Sequence, residues 1–159
     1  MSEVFSYKVK ILEKDLDTFS HVNNANYLAL YEEARWEFCT DRGYGVKEIQ
    51  DSQIGPVILE LNLKFKKELT VRETITIQSQ YVGAKNARMS LFHQEMIKED
   101  GSVASTLDLT LGLMDLKKRK LIKPDKKWLR CLGISDDGIS DDGISSDEIS
   151  DHETSRENS

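Results

Sequence analysis

Cysteine and proline are scarce in this chain of 159 residues, which contains two of each. Cys39 and Cys131 are too few for a disulfide framework, and no cysteine or histidine spacing matches a zinc site. No apolar run reaches the ~20 residues of a membrane-spanning helix, and the first residues do not read as a signal peptide. Glycine-rich loops for dinucleotides or phosphates are also missing. We therefore expect a soluble cytoplasmic protein without cofactor or metal, which binds neither nucleic acid nor a membrane.

The negative charge of the chain is concentrated at one end. The formal net charge is −6, yet residues 133–159 hold nine acidic residues against one arginine, which leaves residues 1–132 at +2. The acidic segment repeats the unit Gly-Ile-Ser-Asp-Asp, which is too short for a solenoid and too polar to bury a core. We predict one folded domain over residues 1–132 and a disordered acidic repeat tail over residues 133–159.

A long helix is predicted directly after a polar loop that begins at residue 15. Asn23 or Asn24 is a favoured N-cap, and Gly43 is a favoured stop after Arg42. Apolar residues cover most sides of this segment, so we expect other structure to wrap around the helix. The free N–H groups of its first turn then face the polar loop, where they can bind a carbonyl oxygen that gains negative charge.

Five segments alternate apolar and polar residues, which is typical of half-buried strands. They cover residues 4–13, 57–65, 73–82, 87–98 and 102–115. A turn is predicted over residues 83–86, and a hairpin turn at Asp100-Gly101. The inner face of the second segment is predicted to hold Val57, Leu59, Leu61, Leu63 and Phe65, and that of the fourth to hold His93. One early helix followed by such strands predicts an α+β domain in which an antiparallel sheet curls around the helix.

The motif across residues 15–35 resembles that of the hotdog-fold acyl thioesterases. It reads Asp15-x-Asp17, His21-Val22-Asn23-Asn24, Asn26-Tyr27 and Glu33-Ala34-Arg35. It is similar to the 4-hydroxybenzoyl-CoA thioesterase group and less so to the plant-type acyl-ACP thioesterases, because Phe19 stands where that branch has an asparagine. The resemblance implies a hotdog fold, with a curved antiparallel sheet around one long helix, and the hydrolysis of acyl-CoA to a carboxylic acid and coenzyme A.

The resemblance places the catalytic carboxylate at Asp17, either as a nucleophile or as a general base that activates water. Backbone N–H groups around Asn24 are then the oxyanion donors. His21 has several open roles: it can orient the carboxylate, bind the acyl carbonyl, act as a base, or fix the loop through a hydrogen bond. Local sequence alone also allows Asp17 to be an Asx-turn or helix-capping carboxylate.

Substrate contacts are expected from the helix, the loop and the strands. Phe19, Tyr27 and Tyr31 are candidates for lining an acyl pocket. Candidates for binding the pantetheine and nucleotide of coenzyme A are Lys64, Lys66, Lys67, Lys85 and Arg88. Glu33 is the carboxylate that another branch of the fold uses, and we expect it here in a structural ion pair.

Proteins of this fold have three other functions that the residues of this chain can be compared with. The hydratase pattern Asp-x-Asn-Pro-x-His is absent after Asp17, so we do not expect a hydratase. A non-catalytic acyl-CoA binding or sensor protein and an acyl-ACP thioesterase remain as alternatives.

The expected assembly follows from the edges of the predicted sheet. A sheet around a single helix leaves open edges, and paired edges give a homodimer or a homotetramer of two dimers. The resemblance implies that each Asp17 loop then lies close to the neighbouring chain.

Overall fold

The fold is built from a six-stranded antiparallel sheet and one long helix. A computed structural model describes residues 2–140 and 143–144. The strands are β1 (Val4–Lys10), β2 (Ile54–Phe65), β3 (Thr74–Asn86), β4 (Met89–Lys98), β5 (Val103–Asp115) and β6 (Lys120–Ile122), with a small hairpin of β7 (Ile139–Ser140) and β8 (Gly143–Ile144). The helices are α1 (Asn24–Asp41), α2 (Val46–Ser52) and α3 (Lys126–Cys131). None of the helices in this described part combines the length and the apolar composition needed to cross a bilayer.

The large sheet has the strand order β1-β3-β4-β5-β2, and β6 pairs with the end of β5. The predicted α+β architecture is therefore confirmed, with β1 and β2 at the two edges. The turn predicted at residues 83–86 is wrong, because β3 continues to Asn86. Two register shifts, one between Tyr81 and Gly83 and one between Ala84 and Asn86, absorb the irregular residues and keep the strand paired with β4.

Helix α1 begins and ends where the sequence predicts. Asn23 is the N-cap, and its Oδ1 accepts a 2.9 Å hydrogen bond from the N–H of Ala25. Gly43 follows the last turn with a φ of +75°, a conformation that glycine adopts without steric cost. The helix buries one side against the sheet through Tyr27, Leu30, Tyr31, Ala34, Phe38 and Cys39.

The prediction for the inner face of β2 is wrong in its first half. A β-bulge lies between Ile58, which pairs with Leu111, and Glu60, which pairs with Thr110. Paired residues of antiparallel strands share a face, so the extra residue reverses the alternation at the bulge. Ile58 therefore shares the face of buried Leu111, whereas Val57 and Leu59 do not. Beyond the bulge the prediction holds for Leu61, Leu63 and Phe65.

The prediction that His93 belongs to the core is also wrong. Its neighbours Phe92 and Gln94 are buried, and His93 lies on the opposite, outer face of the sheet. Its Nδ1 lies 2.6 Å from Oδ1 of Asp108, and its Nε2 lies 3.2 Å from Oε1 of Glu95. The imidazole therefore links β4 and β5 on their outer face.

The chain after α3 returns to the start of β1. The N–H of Glu3 donates a 3.0 Å hydrogen bond to the carbonyl oxygen of Gly133, and Ile134 is only 5% exposed. A 2.8 Å ion pair joins Arg130 to Asp136. The domain boundary after residue 132 stays a prediction, because residues 141–142 and 145–159 of the proposed tail lie outside the described residues.

Candidate active site

Asp15 connects the polar loop to the start of α1. Its buried carboxylate accepts a 2.9 Å hydrogen bond from the N–H of Leu12. Its carbonyl oxygen accepts two more, from the N–H of Asn23 and the Nδ2 of Asn26, each at 2.9 Å. Asp15 thus holds the loop against the first turn of the helix.

Asp17 begins a tight turn that exposes part of its carboxylate. Its Oδ1 accepts a 2.8 Å hydrogen bond from the N–H of Phe19, and its carbonyl oxygen accepts one of 3.1 Å from Ser20. Ser20 has a φ of +65°, a conformation that non-glycine residues adopt at a cost. The Oδ2 of Asp17 has no hydrogen-bond partner within the described residues. This is an Asx-turn in which one carboxylate oxygen stays available.

A cavity of about 500 Å³ opens between this turn, the first turn of α1 and the end of β2. Its lining consists of Asp17, His21, Val22, Asn24, Tyr27, Phe65, Lys66, Lys67 and Glu68. The three residues predicted to be catalytic, Asp17, His21 and Asn24, therefore line one cavity.

The first turn of α1 leaves one backbone N–H free, at Asn24, a residue that lines this cavity. The side-chain oxygen of Asn23 accepts the N–H of Ala25, and its carbonyl oxygen accepts the N–H of Asn26 at 2.9 Å. The N–H of Asn24 has no acceptor among the described residues. It lies at the positive end of the helix dipole, where a developing negative charge is stabilised.

Two aromatic rings form the apolar wall of the cavity. The rings of Tyr27 and Phe65 meet edge to face, with centroids 5.0 Å apart. Burial raises the pKa of Tyr27, so its hydroxyl stays protonated at neutral pH. Tyr27 is thus the one predicted acyl-contacting residue that lines this cavity.

The polar wall comes from the segment between β2 and β3. The Nε2 of His21 lies 3.2 Å from Oε2 of Glu68, and a backbone bridge pairs His21 with Thr70. The N–H groups of Lys66 and Lys67 both donate to the carbonyl oxygen of Ala104, at 2.8 and 3.0 Å. Because both N–H groups bind the same carbonyl oxygen, the side chains no longer alternate between the two faces of the sheet. Two consecutive lysines therefore line the same cavity.

Five predicted substrate residues lie elsewhere. Lys85 forms a 3.2 Å ion pair with Glu60. The side chain of Phe19 is 79% exposed at the tip of the loop, and Tyr31 is fully buried with its hydroxyl 2.6 Å from Oγ of Ser105. Lys64 pairs in register with Thr106 and lies on the outer face of the sheet. Arg88 lies in a groove beside Lys120, at the opposite end of the sheet from Asp17.

Glu33 also lies outside the cavity. It accepts a hydrogen bond from the hydroxyl of Tyr7, which raises the pKa of Tyr7 to about 12. The expected ion pair of Glu33 is therefore replaced by a neutral donor.

Glu68 is the lining residue that sequence reasoning missed. It is 47 positions away from His21, and only the backbone bridge at Thr70 brings the two together. The one local feature that points to Glu68 is the charged run Lys66-Lys67-Glu68, which follows the end of a predicted strand.

Comparison with known families decides the assignment. The model of the Thioesterase-like superfamily matches residues 11–132. The chain belongs to the Thioesterase-like superfamily. The match includes the Asp17 turn, α1 and all of β2 to β5.

Two relatives carry thioesterase names. The long-chain acyl-CoA thioesterase FadM of Escherichia coli is 28% identical over 116 residues, which are 72% of this chain and 86% of the relative. The chloroplastic acyl-acyl carrier protein thioesterase ATL3 of Arabidopsis thaliana is 30% identical over 68% of this chain and 60% of its own length. The prediction of a thioester hydrolase is confirmed at the level of the superfamily by these relatives.

Similar solved structures confirm the predicted hotdog fold. The crystal structure of YbaW, a probable thioesterase from Escherichia coli, is 25% identical, with a TM-score of 0.71 over 80% of this chain and 96% of the other. The protein SAV2348 from Staphylococcus aureus, solved in complex with CoA, is 18% identical, with a TM-score of 0.75 over 82% of each chain.

Proposed function

We propose that this member of the superfamily is an acyl-CoA thioesterase and that Asp17 is its catalytic carboxylate. The observation that carries the proposal is the shared cavity: Asp17, which has an available carboxylate oxygen, and Asn24, whose backbone N–H is free, both line it. Thioester hydrolysis needs these two elements, an oxygen nucleophile or base and a donor for the oxyanion.

The proposed reaction begins with the thioester carbonyl oxygen at the N–H of Asn24. In one route the carboxylate of Asp17 attacks the carbonyl carbon, the C–S bond breaks, coenzyme A leaves as the thiolate, and water hydrolyses the mixed anhydride. In the other route Asp17 takes a proton from water, whose oxygen attacks the same carbon; the C–S bond then breaks, and the carboxylic acid and the thiolate of coenzyme A are released. His21, whose Nε2 lies 3.2 Å from Oε2 of Glu68, lines the same cavity and is our candidate for supplying a proton to the thiolate.

The lining of the cavity supports an acyl-CoA substrate. Val22, Tyr27 and Phe65 provide apolar surface for an acyl group next to Asp17. Lys66 and Lys67 form no ion pair within the described residues, and they provide positive charge at the same site. The name of FadM and the CoA complex of SAV2348 favour coenzyme A as the carrier, whereas the name of ATL3 keeps acyl carrier protein as the alternative.

We also propose that two copies pair along β2, one of the two edges of the sheet. Side chains on this edge leave large apolar surface exposed, namely Ile58, Leu59, Leu61 and Phe65. Exposed apolar edges are rare in isolated proteins because they invite pairing with another chain. In an antiparallel β2–β2 pair, the partner's Arg88 end of the sheet lies toward this Asp17 cavity, which gives Arg88 a role in the neighbouring site.

Release of free thiol from a panel of acyl-CoA thioesters tests the proposed activity. We expect hydrolysis of at least part of a panel that varies chain length and ring content. Binding of acyl-CoA without any hydrolysis would instead support a non-catalytic sensor. Sedimentation tests the assembly: we expect no stable monomer at micromolar concentration, and a fully active monomer would contradict the two-subunit site. The cytoplasm remains the proposed location.

A further inference from the structure

A second cavity lies between α1 and the first half of β2. Its volume is about 100 Å³, and it shares no lining residue with the cavity at Asp17. Glu32 and Arg35 are its two polar lining residues, and the rest of the lining is apolar, including Ile58. An apolar cavity with a few polar groups is typical of a site that binds part of a small molecule.

Arg35 brings a positive charge into this apolar lining. Its Nη1 donates a 2.7 Å hydrogen bond to Oε1 of Gln94, a fully buried side chain. Within the described residues this is the one hydrogen bond of the guanidinium, and Arg35 forms no ion pair there. Burial lowers the pKa of Arg35, because water solvates the guanidinium poorly at this site. A guanidinium carries several N–H donors in a planar fork, so the remaining donors of Arg35 are available to an acceptor on a ligand.

Gln94 fixes the direction of the guanidinium. Its Nε2 donates to the carbonyl oxygen of Tyr31 at 3.2 Å and to the hydroxyl oxygen of Ser79 at 2.8 Å. These two contacts lock the amide, so that its oxygen faces Arg35. A donor that is held in place before a ligand arrives loses less conformational freedom on binding. Arg35 is thus prepared to bind an oxygen atom at the second cavity.

An apolar strip of β2 connects the two cavities. Ile58 lines the second cavity, and Phe65 lines the cavity at Asp17. Leu61 and Leu63 lie between them on the same face of the strand. Ile58, Leu61 and Phe65 keep 45%, 43% and 55% of their surface exposed, so a ligand can lie along the strip.

The two cavities also lie along the same helix. Tyr27 lines the cavity at Asp17, and Arg35 lines the second cavity eight residues later. At ~1.5 Å per residue this separation is about 12 Å. A flexible chain that starts at Asp17 needs at least this length to reach Arg35.

We propose that the second cavity binds the far end of a long acyl chain, and that Arg35 and Glu32 select chains with a hydroxyl group at that end. The hydroxyl oxygen accepts a hydrogen bond from Arg35, and its hydrogen is donated to the carboxylate of Glu32. The Oε1 of Glu32 accepts the indole N–H of Trp36 at 3.3 Å, which leaves Oε2 without a partner among the described residues. Glu32 repels a chain that ends in a carboxylate. The assignment rests on the proposed function, which supplies acyl-CoA to the cavity at Asp17.

Tryptophan fluorescence tests the position of the chain without an activity assay. The protein has two tryptophans, Trp36 and Trp128, and both line the second cavity. The probe is S-dodecyl coenzyme A, a thioether that resists hydrolysis, with a bromine atom at the far end of the dodecyl chain. Because bromine quenches tryptophan at contact, we expect this probe to cause a large loss of emission and an isomer with bromine close to the sulfur to cause a small one. Equal quenching by both isomers would overturn the proposal.

Displacement of the brominated probe measures the selectivity. An S-dodecyl coenzyme A that ends in a hydroxyl group should displace the probe at about tenfold lower concentration than the plain chain, because hydrogen bonds to charged groups are among the stronger ones. Equal displacement by the two chains would overturn the selection of a hydroxyl group. Stronger displacement by a chain that ends in a carboxylate would overturn it in favour of an acid.

Two variants of exposed glutamates on α1 locate the selectivity. Glu32→Ala should lose most of the preference for the hydroxyl chain. Glu37→Ala is the matched control, because Glu37 does not line the second cavity, and it should keep the preference. Arg35→Met should abolish the preference, but it also leaves buried Gln94 without its donor, so Glu32→Ala decides the test if Arg35→Met does not fold. A preference that survives in Glu32→Ala would overturn the proposed selection.

Steady-state kinetics connect the second cavity to hydrolysis. In the parent protein, kcat/KM for ω-hydroxydodecanoyl-CoA should exceed that for dodecanoyl-CoA by about tenfold. The two values should be nearly equal in Glu32→Ala and should keep the parental ratio in Glu37→Ala. A parent protein that hydrolyses neither substrate would refute the proposed function, while fluorescence still decides what the second cavity binds. A parent protein that hydrolyses both equally well would overturn the selectivity alone.

Discussion

The Oδ1 of Asp17 lies 2.8 Å from the backbone N–H of Phe19, and this contact sets the orientation of the carboxylate. Because the donor is main chain, the phenyl ring is not needed to hold it. We expect Phe19→Ala to keep kcat within about threefold, far from the ~10²–10⁴-fold of a lost acid–base group. Steady-state kinetics check this. A loss of a hundredfold with an unchanged fold would contradict a main-chain role for this position.

Ser20 tests the conformation of the same turn. Its φ of +65° disfavours a β-branched side chain most strongly. We expect Ser20→Val to lower the free energy of unfolding by about 1–3 kcal/mol and to reduce turnover, because Asp17 moves with the turn. Ser20→Gly is the matched control and should leave both unchanged within error. Urea titrations and kcat measurements check the pair, and a silent Ser20→Val would show that the turn tolerates other conformations.

The buried carboxylate of Asp15 has a structural role that Asp17 lacks. Asp15→Ala leaves the N–H of Leu12 without its acceptor. We expect a loss of about 1–3 kcal/mol in the free energy of unfolding, measured by urea titration. A variant as stable as the parent would show that the loop does not depend on this hydrogen bond.

The end of the folded domain is tested by two truncations. Ending the chain after Leu132 removes buried Ile134 and the hydrogen bond from Glu3 to Gly133. We expect this to cost about 2–4 kcal/mol of unfolding free energy, since a buried isoleucine alone contributes ~1.5–3 kcal/mol. Ending after Ser140 keeps these contacts and should leave the melting temperature nearly unchanged. Equal stability of the two truncations would support the boundary predicted at residue 132.

His93 makes stability depend on pH. Burial alone lowers the pKa of His93, but its hydrogen bonds with Asp108 and Glu95 outweigh burial and raise the pKa above its ordinary value. The charged form is therefore favoured in the folded state. The protonated His93 therefore stabilises the fold fully when the pH is below about 6.5, the pKa of a histidine in the unfolded chain. This stabilisation is lost as the pH rises through the pKa of His93 in the folded protein. Urea titrations across this pH range should show that the free energy of unfolding declines in the parent protein and does not decline in His93→Gln. If the two proteins show the same dependence on pH, the ion pairs of His93 do not contribute to stability.

The sequence was sufficient where local rules decide the structure. Asn23 and Gly43 fix the two ends of α1, and alternation located all five long strands. The prediction from sequence failed where one additional residue in a strand reverses which side chains face the core. The bulge between Ile58 and Glu60 reversed the predicted face of Val57 and Leu59, and no local signal marks it.

The candidate site was predictable to the same degree. Asp17, His21 and Asn24 are close in sequence, so one motif contained them. Glu68 reaches the cavity only through the pairing of distant segments, and Tyr31 points to Ser105 because helix packing decides its direction. Such long-range relations have no periodic signature in a single sequence.

The turnover of Asp17→Asn with acyl-CoA tests the central claim most directly. The substitution keeps the size of the side chain and an oxygen for the N–H of Phe19, but it removes the negative charge. We expect kcat to fall by about a hundredfold or more, with the melting temperature unchanged, whereas Asp108→Asn on the outer face of the sheet keeps kcat. An Asp17→Asn protein that hydrolyses acyl-CoA at nearly the parental rate would contradict the account.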